Sequence, residues 1–136
     1  MKLLTRDTDY AVRAICFIAR SKEKKASVAE LTFRLGMPRS FLRKILQRLN
    51  EEGLLESSKG KGGGFELAIK PEAIVLLDVM RIFQGGLNLN NCFLKKRICP
   101  EKNVCRLRRE IGLIEKGTAA ALSKISIASL IKSRHN

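Results

Sequence analysis

Residues 91–105 read NCFLKKRICPEKNVC and place three cysteines, Cys92, Cys99 and Cys105, close together in the chain. Thiolates bind soft metal ions, hold iron–sulfur clusters and oxidise to disulfides, so this segment has a chemistry of its own. The segment contains no histidine, and its basic side chains should favour the thiolate over the thiol. The pattern is therefore compatible with an incomplete metal site, a thiol switch or half of a disulfide pattern.

The rest of the sequence narrows these alternatives. Asp7, Asp9 and Arg13 interrupt the apolar N-terminal stretch, unlike a secretory signal, and no stretch is long enough for a membrane span. We expect a cytoplasmic protein, in which thiols stay reduced and a structural disulfide is unusual. A structural zinc site needs four sulfur or nitrogen ligands, which three cysteines without a histidine do not supply. Cys16 stands apart on an apolar helical face and is expected to be a buried core residue.

The charge of the chain indicates the class of its partner. With 27 basic and 13 acidic residues among 136, the formal net charge is +14, and the excess is spread over both halves of the chain. Such an excess favours a polyanionic partner, usually nucleic acid. The sequence supplies no nucleophile–base pair, since its single histidine, His135, lies at the C-terminal end. An enzyme is therefore not expected, and neither are a small-molecule substrate or a membrane partner.

The first half of the chain has the order of a helix-turn-helix. Apolar spacing predicts a helix over residues 8–20. The S-x-x-E pattern of Ser27 and Glu30 is a capping box that opens a second, short helix, which a glycine ends. After a tight turn, a third helix is expected to start at Pro38 and to run to about Glu52.

A β-hairpin is predicted directly after the third helix. Two strand-like runs, at 54–58 and 65–69, flank the glycine-rich tip KGKGGG. A hairpin in this position is the wing of a winged-helix domain. The predicted fold class is therefore mainly α with a small β-hairpin, and the winged helix-turn-helix DNA-binding domain is expected over residues 1–84.

The C-terminal part is predicted to be helical and to form a dimer interface. A fourth helix is expected to start at Pro71 and to end before the cysteine segment of residues 85–105. Apolar residues on alternating three- and four-residue steps then predict a long dimerisation helix within residues 101–136. This seam comprises Val104, Leu107, Ile111, Ile114, Thr118, Ala121 and Ile125. We expect a homodimer, because a large apolar stripe would otherwise stay exposed; packing of the seam on its own domain is the alternative.

The third helix carries the residues expected to read DNA. Its inward positions are apolar, and its outward positions form one polar stripe at helical spacing. This stripe comprises Ser40, Arg43, Lys44 and Gln47. Arg43 is able to bind guanine with two hydrogen bonds, and Gln47 is able to bind adenine in the same way. Arg39 and Arg48 flank the stripe and are expected to contact phosphates, which fix the register without reading the sequence. A merely solvated face is the alternative for any single residue.

The tip of the wing is expected to approach the DNA backbone. Lys59 and Lys61 are able to reach phosphates or the minor groove, and backbone N–H groups at Gly62 and Gly63 have no side chain to keep a phosphate away. The tip is not a nucleotide-binding P-loop, because the G-x-x-x-x-G-K-[ST] pattern is absent and a strand follows it instead of a helix.

Three features together resemble the IscR/NsrR-type regulators of the Rrf-two superfamily. They are the opening LTRDTDYAVRAI, the wing KGKGGGF, and a three-cysteine segment before a long helix. The resemblance covers nearly the whole chain. It implies a homodimeric winged-helix transcription factor that binds a double-stranded DNA operator and senses iron–sulfur status, redox or nitric oxide. The implied sensor is an iron–sulfur cluster, 2Fe-2S or 4Fe-4S, with Cys92, Cys99 and Cys105 as ligands.

The fourth cluster ligand is where this sequence departs from the IscR-like pattern. IscR-like members place a histidine three residues after the last cysteine, where this chain has Arg108, which is unable to ligate iron. NsrR-like members use an aspartate from the first helix of the partner subunit, and the matching position is Asp9. The alternative for Asp9 is an acid favoured by the helix dipole. Arg43 also stands where IscR-like members carry an acidic residue, so a different operator is expected.

Other functions remain as alternatives. One is a winged-helix regulator without a cluster, controlled by thiol oxidation or by a partner protein. A second is an architectural or RNA-binding protein whose affinity is set by salt and not by sequence. A third is an iron–sulfur electron carrier. Zinc ranks behind both the cluster and the cluster-free thiol switch.

Overall fold

The computed structural model describes residues 2–89 and 105–132, and these form a winged helix-turn-helix followed by further helices. The predicted fold class is confirmed. The helices are α1 (Arg6–Arg20), α2 (Val28–Leu35), α3 (Arg39–Glu51), α4 (Leu76–Gln84), α5 (Arg106–Ser123) and α6 (Ile127–Lys132), and the strands are β1 (Lys25–Ala26), β2 (Leu55–Ser58) and β3 (Gly64–Leu67). Cys92 and Cys99 lie outside the described residues. Within the described ranges, no helix is long and apolar enough to cross a membrane.

Helix α1 lies at the centre of the domain. Thr5 caps its N-terminus, where the hydroxyl accepts a hydrogen bond from the Thr8 N–H at 3.3 Å. Its buried face, which includes Ala11, Ile15 and Ile18, packs against α2, α3, α4, α6 and the strands β1 and β3. A displacement of α1 would therefore disturb most of the other elements.

Helices α2 and α3 form the predicted helix-turn-helix. The Ser27 hydroxyl accepts a hydrogen bond from the Glu30 N–H at 3.0 Å, as the capping box predicts. Gly36 ends α2 in the left-handed conformation, with φ of 68°, which glycine adopts without strain. Pro38 stands immediately before α3 and not within it. The residues of α3 that are buried in the core are Leu42, Ile45, Leu46 and Leu49.

The wing belongs to a three-stranded antiparallel sheet in the order β1-β3-β2. Strands β2 and β3 pair with Leu55 opposite Leu67, and both are slightly shorter than the sequence predicts. Strand β1 is not predicted by the sequence, because two residues are too few to show an alternating pattern. It pairs with β3 through Ala26 opposite Phe65 and so fixes the wing to the segment before α2.

Helix α4 starts later than predicted. Residues Pro71–Ala73 form a 3-10 turn, after which Val75 is extended and forms an antiparallel bridge with Ser126. The Leu76 N–H donates to the Ile125 carbonyl at 2.8 Å. The chain before α4 therefore stays extended, because it pairs with the connection between α5 and α6.

The predicted C-terminal helix is divided in two by the same pairing. Helix α5 ends at Ser123, and α6 begins at Ile127. Of the predicted seam, Ile125 falls in the connection, Val104 lies outside the described residues, and the other five residues lie in α5. The large apolar residues that remain exposed on α5 are Leu107, Leu113 and Ile114, at 68%, 57% and 60%.

A group of hydrogen bonds fastens the end of α4 to the start of α1. Gln84, the last residue of α4, accepts through Oε1 from the Thr5 N–H at 3.1 Å and from the Thr8 hydroxyl at 2.7 Å. Its Nε2 donates to the Leu3 carbonyl at 3.1 Å. Thr8 is completely buried, so Gln84 supplies a partner to a polar group inside an otherwise apolar core.

We predict that Gln84→Ala lowers the free energy of unfolding by roughly 1–3 kcal/mol, because the Thr8 hydroxyl and the Thr5 N–H lose their shared acceptor. Urea unfolding at one fixed protein concentration measures the change. Gln47→Ala is the matched control: Gln47 is exposed on α3, and its loss should change stability by less than about 0.5 kcal/mol. Equal unfolding free energies for the two variants would show that Gln84 does not fasten α4 to α1.

Candidate nucleic-acid interface

A groove lies between α3 and the wing. Its volume is about 490 Å³; Arg39, Arg43 and Gln47 line it from α3, and Lys59 lines it from the wing. Lys61 is exposed at the tip of the same hairpin. In the part of the chain that the structure describes, no acidic side chain lines the groove. The groove therefore presents positive charge and hydrogen-bond donors to a polyanion.

The groove exists because α3 buries one face and exposes the other. Leu42, Leu46 and Leu49 are completely buried, and the helical period places Arg43 and Gln47 on the opposite side. The residues of α3 that the sequence predicts to contact DNA are all exposed, namely Arg39, Ser40, Arg43, Lys44, Gln47 and Arg48.

Most of the cations on α3 have no acidic partner among the residues that the structure describes. Arg39, Arg43 and Lys44 form no ion pair within residues 2–89 and 105–132, whereas Arg48 Nη2 lies 3.2 Å from the Glu52 carboxylate. Both members of that pair are partly exposed, so it is weak and open to exchange. The charge on α3 is thus available to an external anion.

The structure divides the predicted polar stripe into two sides. Arg43 and Gln47 face the wing, as described above. Lys44 and Arg48 line a second cavity of about 260 Å³, between α3 and the end of α4, together with Phe41. The helix therefore presents cations on both of its flanks and not along one line.

The glycines of the wing form its turn. Gly60 and Gly62 have φ of 90° and 80°, a conformation that glycine adopts without strain. The Gly63 N–H donates to the Gly60 carbonyl at 2.9 Å. A Cβ on Gly63 would lie 2.5 Å from the Ser58 carbonyl oxygen, so only glycine fits there. The Gly63 amide is therefore used within the turn, and its predicted contact with a phosphate stays a prediction.

Two of the four candidate cluster ligands lie in the described residues. Cys105 is a half-buried free thiol immediately before α5. Asp9 lies in the first turn of α1, where its carboxylate accepts from Arg13 Nε at 2.9 Å. Among the residues that the structure describes, no three metal-binding side chains form a group. The Cys105 thiol and the Asp9 carboxylate are donor types that can ligate an iron–sulfur cluster. The pairing of Asp9 with Arg13 equally suits the alternative role of Asp9, an acid on the surface of the helix.

The remaining cysteine is structural. Cys16 is buried in α1, as the sequence predicts, and that burial raises the pKa of its thiol. The nearby Arg20 guanidinium acts in the opposite direction with a smaller effect. Because the thiol stays protonated at neutral pH, Cys16 is a poor nucleophile and a poor metal ligand.

One cation beside α3 is missed by the sequence reasoning. The Arg6 guanidinium lies over the Phe41 ring, 4.5 Å from its centroid. Tyr10 meets the same ring edge-on, with centroids 5.5 Å apart and planes at 89°. The four-residue separation of Arg6 and Tyr10, which places both on one face of α1, is the signal that could have found this contact.

The fold and the cationic groove define a winged-helix DNA-binding protein. The family model for Rrf2, described as iron-dependent transcriptional regulator, matches residues 4–133. The chain belongs to the Rrf2 family, and the predicted resemblance is thereby confirmed. Regulators of this family are DNA-binding transcription factors and not enzymes.

Individual relatives span almost the whole chain. The HTH-type transcriptional regulator NsrR of Bacillus subtilis (strain 168) is 28% identical over 135 residues, which is 98% of this chain and 92% of NsrR. The structure of CymR, the global cysteine regulator of B. subtilis, superposes with a TM-score of 0.79 at 19% identity, covering 99% of this chain and 100% of CymR. IscR of T. potens superposes with a TM-score of 0.77 at 21% identity, covering 99% and 89%. At these identities, the two structures show the shared fold alone.

We predict that iodoacetamide at about pH 8 alkylates Cys16 at least about tenfold more slowly than Cys105 in the reduced, metal-free protein. The reason is that burial both shields the Cys16 thiol and raises its pKa, so less of this thiol is present as the reactive thiolate. Peptide mass spectrometry over time measures the two rates. In concentrated urea the rates should become similar; similar rates in the folded protein would contradict the buried position of Cys16.

Proposed function

We propose that this chain is an operator-binding transcriptional regulator that acts as a homodimer and senses iron–sulfur status, redox or nitric oxide through a cluster on its cysteine segment. The observation that carries the DNA-reading part is the groove between α3 and the wing, with Arg39, Arg43 and Gln47 on one side and Lys59 on the other. In this proposal, α3 enters the major groove, where Arg43 and Gln47 meet base edges. Arg39 and the wing lysines contact the phosphates.

The exposed apolar side chains of α5 support a homodimer. Leu107 and Ile114 are separated by seven residues and lie on one face of the helix, where both are more than half exposed. A second copy of α5 would cover them. A dimer also presents two copies of α3, which suits an operator of two half-sites about one turn of DNA apart.

The cluster part of the proposal rests on the cysteine pattern and on the similarity to NsrR. Cys105 is accessible, and Cys92 and Cys99 precede it in the sequence; Asp9 of the partner subunit is the proposed fourth ligand. A bound cluster would supply a redox-active centre that oxidants or nitric oxide can alter. The cysteine segment begins directly after Gln84, whose hydrogen bonds to Thr5 and Thr8 connect it with the start of α1.

The connection from α1 to α3 completes the proposed mechanism. Tyr10, next to Asp9, packs edge-on against Phe41 of α3. Ligand binding at the cysteine segment would therefore act on α1 from Gln84 and from Asp9, and α1 would pass the displacement to α3. Small changes in the separation of two recognition helices are enough to change the fit to two half-sites.

A second candidate function is regulation by cysteine thiols without a cluster. It is suggested by the description of CymR, one of the structures that share this fold, as a global cysteine regulator. The superposition itself does not distinguish the two candidates, because IscR superposes almost equally well. The same segment would then act by thiol oxidation or by binding a partner protein. The two candidates share the DNA-binding surface and differ in whether the cysteines hold iron.

We predict that Arg43→Ala reduces the preference for the operator by roughly 1–3 kcal/mol, because Arg43 is proposed to read a base. The operator probe is a duplex selected from a randomised library by the unaltered protein, and a scrambled duplex gives the non-specific affinity. Arg39→Ala should instead weaken both duplexes by a similar factor, since phosphate contacts carry no sequence information. Arg20→Ala, at the far end of α1, is the control for charge. An unchanged preference in Arg43→Ala would remove α3 from base reading.

We predict that anaerobically purified protein contains iron and acid-labile sulfide with visible absorption, and that Cys105→Ser loses most of all three. Cys16→Ser is the matched control, because Cys16 is buried in the core and should leave the iron content unchanged. A colourless, iron-free protein whose operator affinity responds to thiol oxidation would contradict the cluster and support the cluster-free candidate. Equal iron in both variants would exclude Cys105 as a ligand.

A further inference from the structure

The flank of α3 that faces away from the wing carries a cationic surface of its own. Lys44 and Arg48 line the cavity of about 260 Å³ beside the end of α4, and Phe41 forms part of its wall. Arg6 of α1 lies over that Phe41 ring. Two cations of α3 therefore share a cavity with Phe41, and a third cation, from α1, contacts the ring of that residue. The wing-facing groove uses a separate set of residues.

The position of Arg6 is hard to explain by folding alone. Arg6 is the first residue of α1, where the positive end of the helix dipole disfavours a cation. Its guanidinium is held by the ring of Phe41, and Tyr10 fixes that ring edge-on. The Arg6 side chain is nevertheless 69% exposed, so it contacts the ring and stays accessible to a ligand at the same time.

The acidic groups near this surface are few and weakly engaged. Asp7 Oδ1 lies 4.0 Å from Arg6 Nε, and Asp7 also lines the cavity. Glu52 pairs with Arg48 at 3.2 Å. Both carboxylates are substantially exposed, so solvent screens these pairs. Lys44 has no ion pair within the described residues, and the three cations outnumber the two acids.

We propose that Arg6, Lys44 and Arg48 form a second binding site for DNA backbone phosphate, on the side of α3 opposite the wing. This inference rests on the proposed placement of α3 in the major groove. The major groove is about 12 Å wide and is bordered by a phosphate backbone on each side. Residues of the wing-facing groove reach the phosphate backbone on one side of the major groove. Arg6, Lys44 and Arg48 face the backbone on the other side, so the duplex is held on both flanks of α3.

The site also gives the start of α1 a direct role in DNA binding. Arg6 lies three residues before Asp9 and one residue after Thr5, which Gln84 fastens to α4. A displacement of this turn would move the phosphate-binding side chain of Arg6 and would also change the Tyr10–Phe41 contact. The DNA affinity would then depend on the position of α1, even if α3 kept its contacts with the bases.

The test compares salt dependence on the selected duplex and on the scrambled duplex. Arg6→Gln is expected to weaken both by a similar factor, roughly three- to tenfold, and to lower the slope of log K against log salt by about 1 per protomer. Arg20→Gln removes the same charge from the other end of α1, about 21 Å away, and should change neither quantity appreciably. Unfolding midpoints in urea check that both variants remain folded.

Phe41→Leu and Arg43→Ala distinguish a failure of the phosphate site from a failure of the proposed placement of α3. Phe41→Leu removes the ring that holds Arg6 but keeps the charge, so Arg6→Gln should have a smaller effect in the Phe41→Leu background than alone. If Arg6→Gln behaves like Arg20→Gln while Arg43→Ala loses the operator preference, the phosphate site is refuted and α3 keeps its role. If Arg43→Ala also has no effect, the placement of α3 and the phosphate site both fail.

Discussion

The packing of α1 in the middle of the domain is the constraint on which the other elements depend. Its buried face meets α2, α3, α4, α6 and two of the strands. Small residues such as Ala11, Ala14 and Ala19 are completely buried on that face and allow close approach of the neighbouring elements. Gln84 holds the N-terminal end of α1 through three hydrogen bonds, one of which comes from the completely buried Thr8 hydroxyl. The position of α1 therefore determines the position of α3.

In the proposed mechanism, that arrangement lets one surface bind DNA and respond to a distant segment. The cations of α3 are exposed because its leucines are buried, and most of them have no acidic partner in the ranges described. The cysteine segment begins directly after Gln84, the last residue of α4. Gln84 also accepts a hydrogen bond from the Thr5 N–H at the start of α1. The coupling between the cysteine segment and α3 would pass through a continuous series of hydrogen bonds and packed side chains in α1.

The sequence predicts the elements whose local signals are strong. The capping box at Ser27, the glycine after α2 and the apolar period of α3 identify the helix-turn-helix, and KGKGGG identifies the wing. The later start of α4 and the break before α6 could not be predicted, because both result from the pairing of Val75 with Ser126, residues distant in the chain. The division of the polar stripe also depends on tertiary packing, since the wing and α4 lie on different sides of α3.

The sequence predicts some residues of the site and not others, depending on whether their position follows from a local pattern or from tertiary packing. Helical periodicity is enough to expose Arg43 and Gln47, but only the fold brings Arg6 next to Phe41. The burial of Cys16 follows from its apolar neighbours in the sequence. The ligand set of the cysteine segment stays a prediction, with Cys92 and Cys99 outside the described residues.

The most direct test of the account is the affinity of one selected duplex for anaerobic protein before and after removal of iron by a chelator. In the proposed mechanism, the cysteine segment and the DNA-binding surface are coupled through α1. This mechanism predicts affinities that differ by at least about fivefold, which corresponds to a coupling free energy of about 1 kcal/mol. The reduced, iron-free protein should remain folded and able to bind DNA non-specifically. Equal affinities of the iron-containing and the iron-free protein would contradict the coupling.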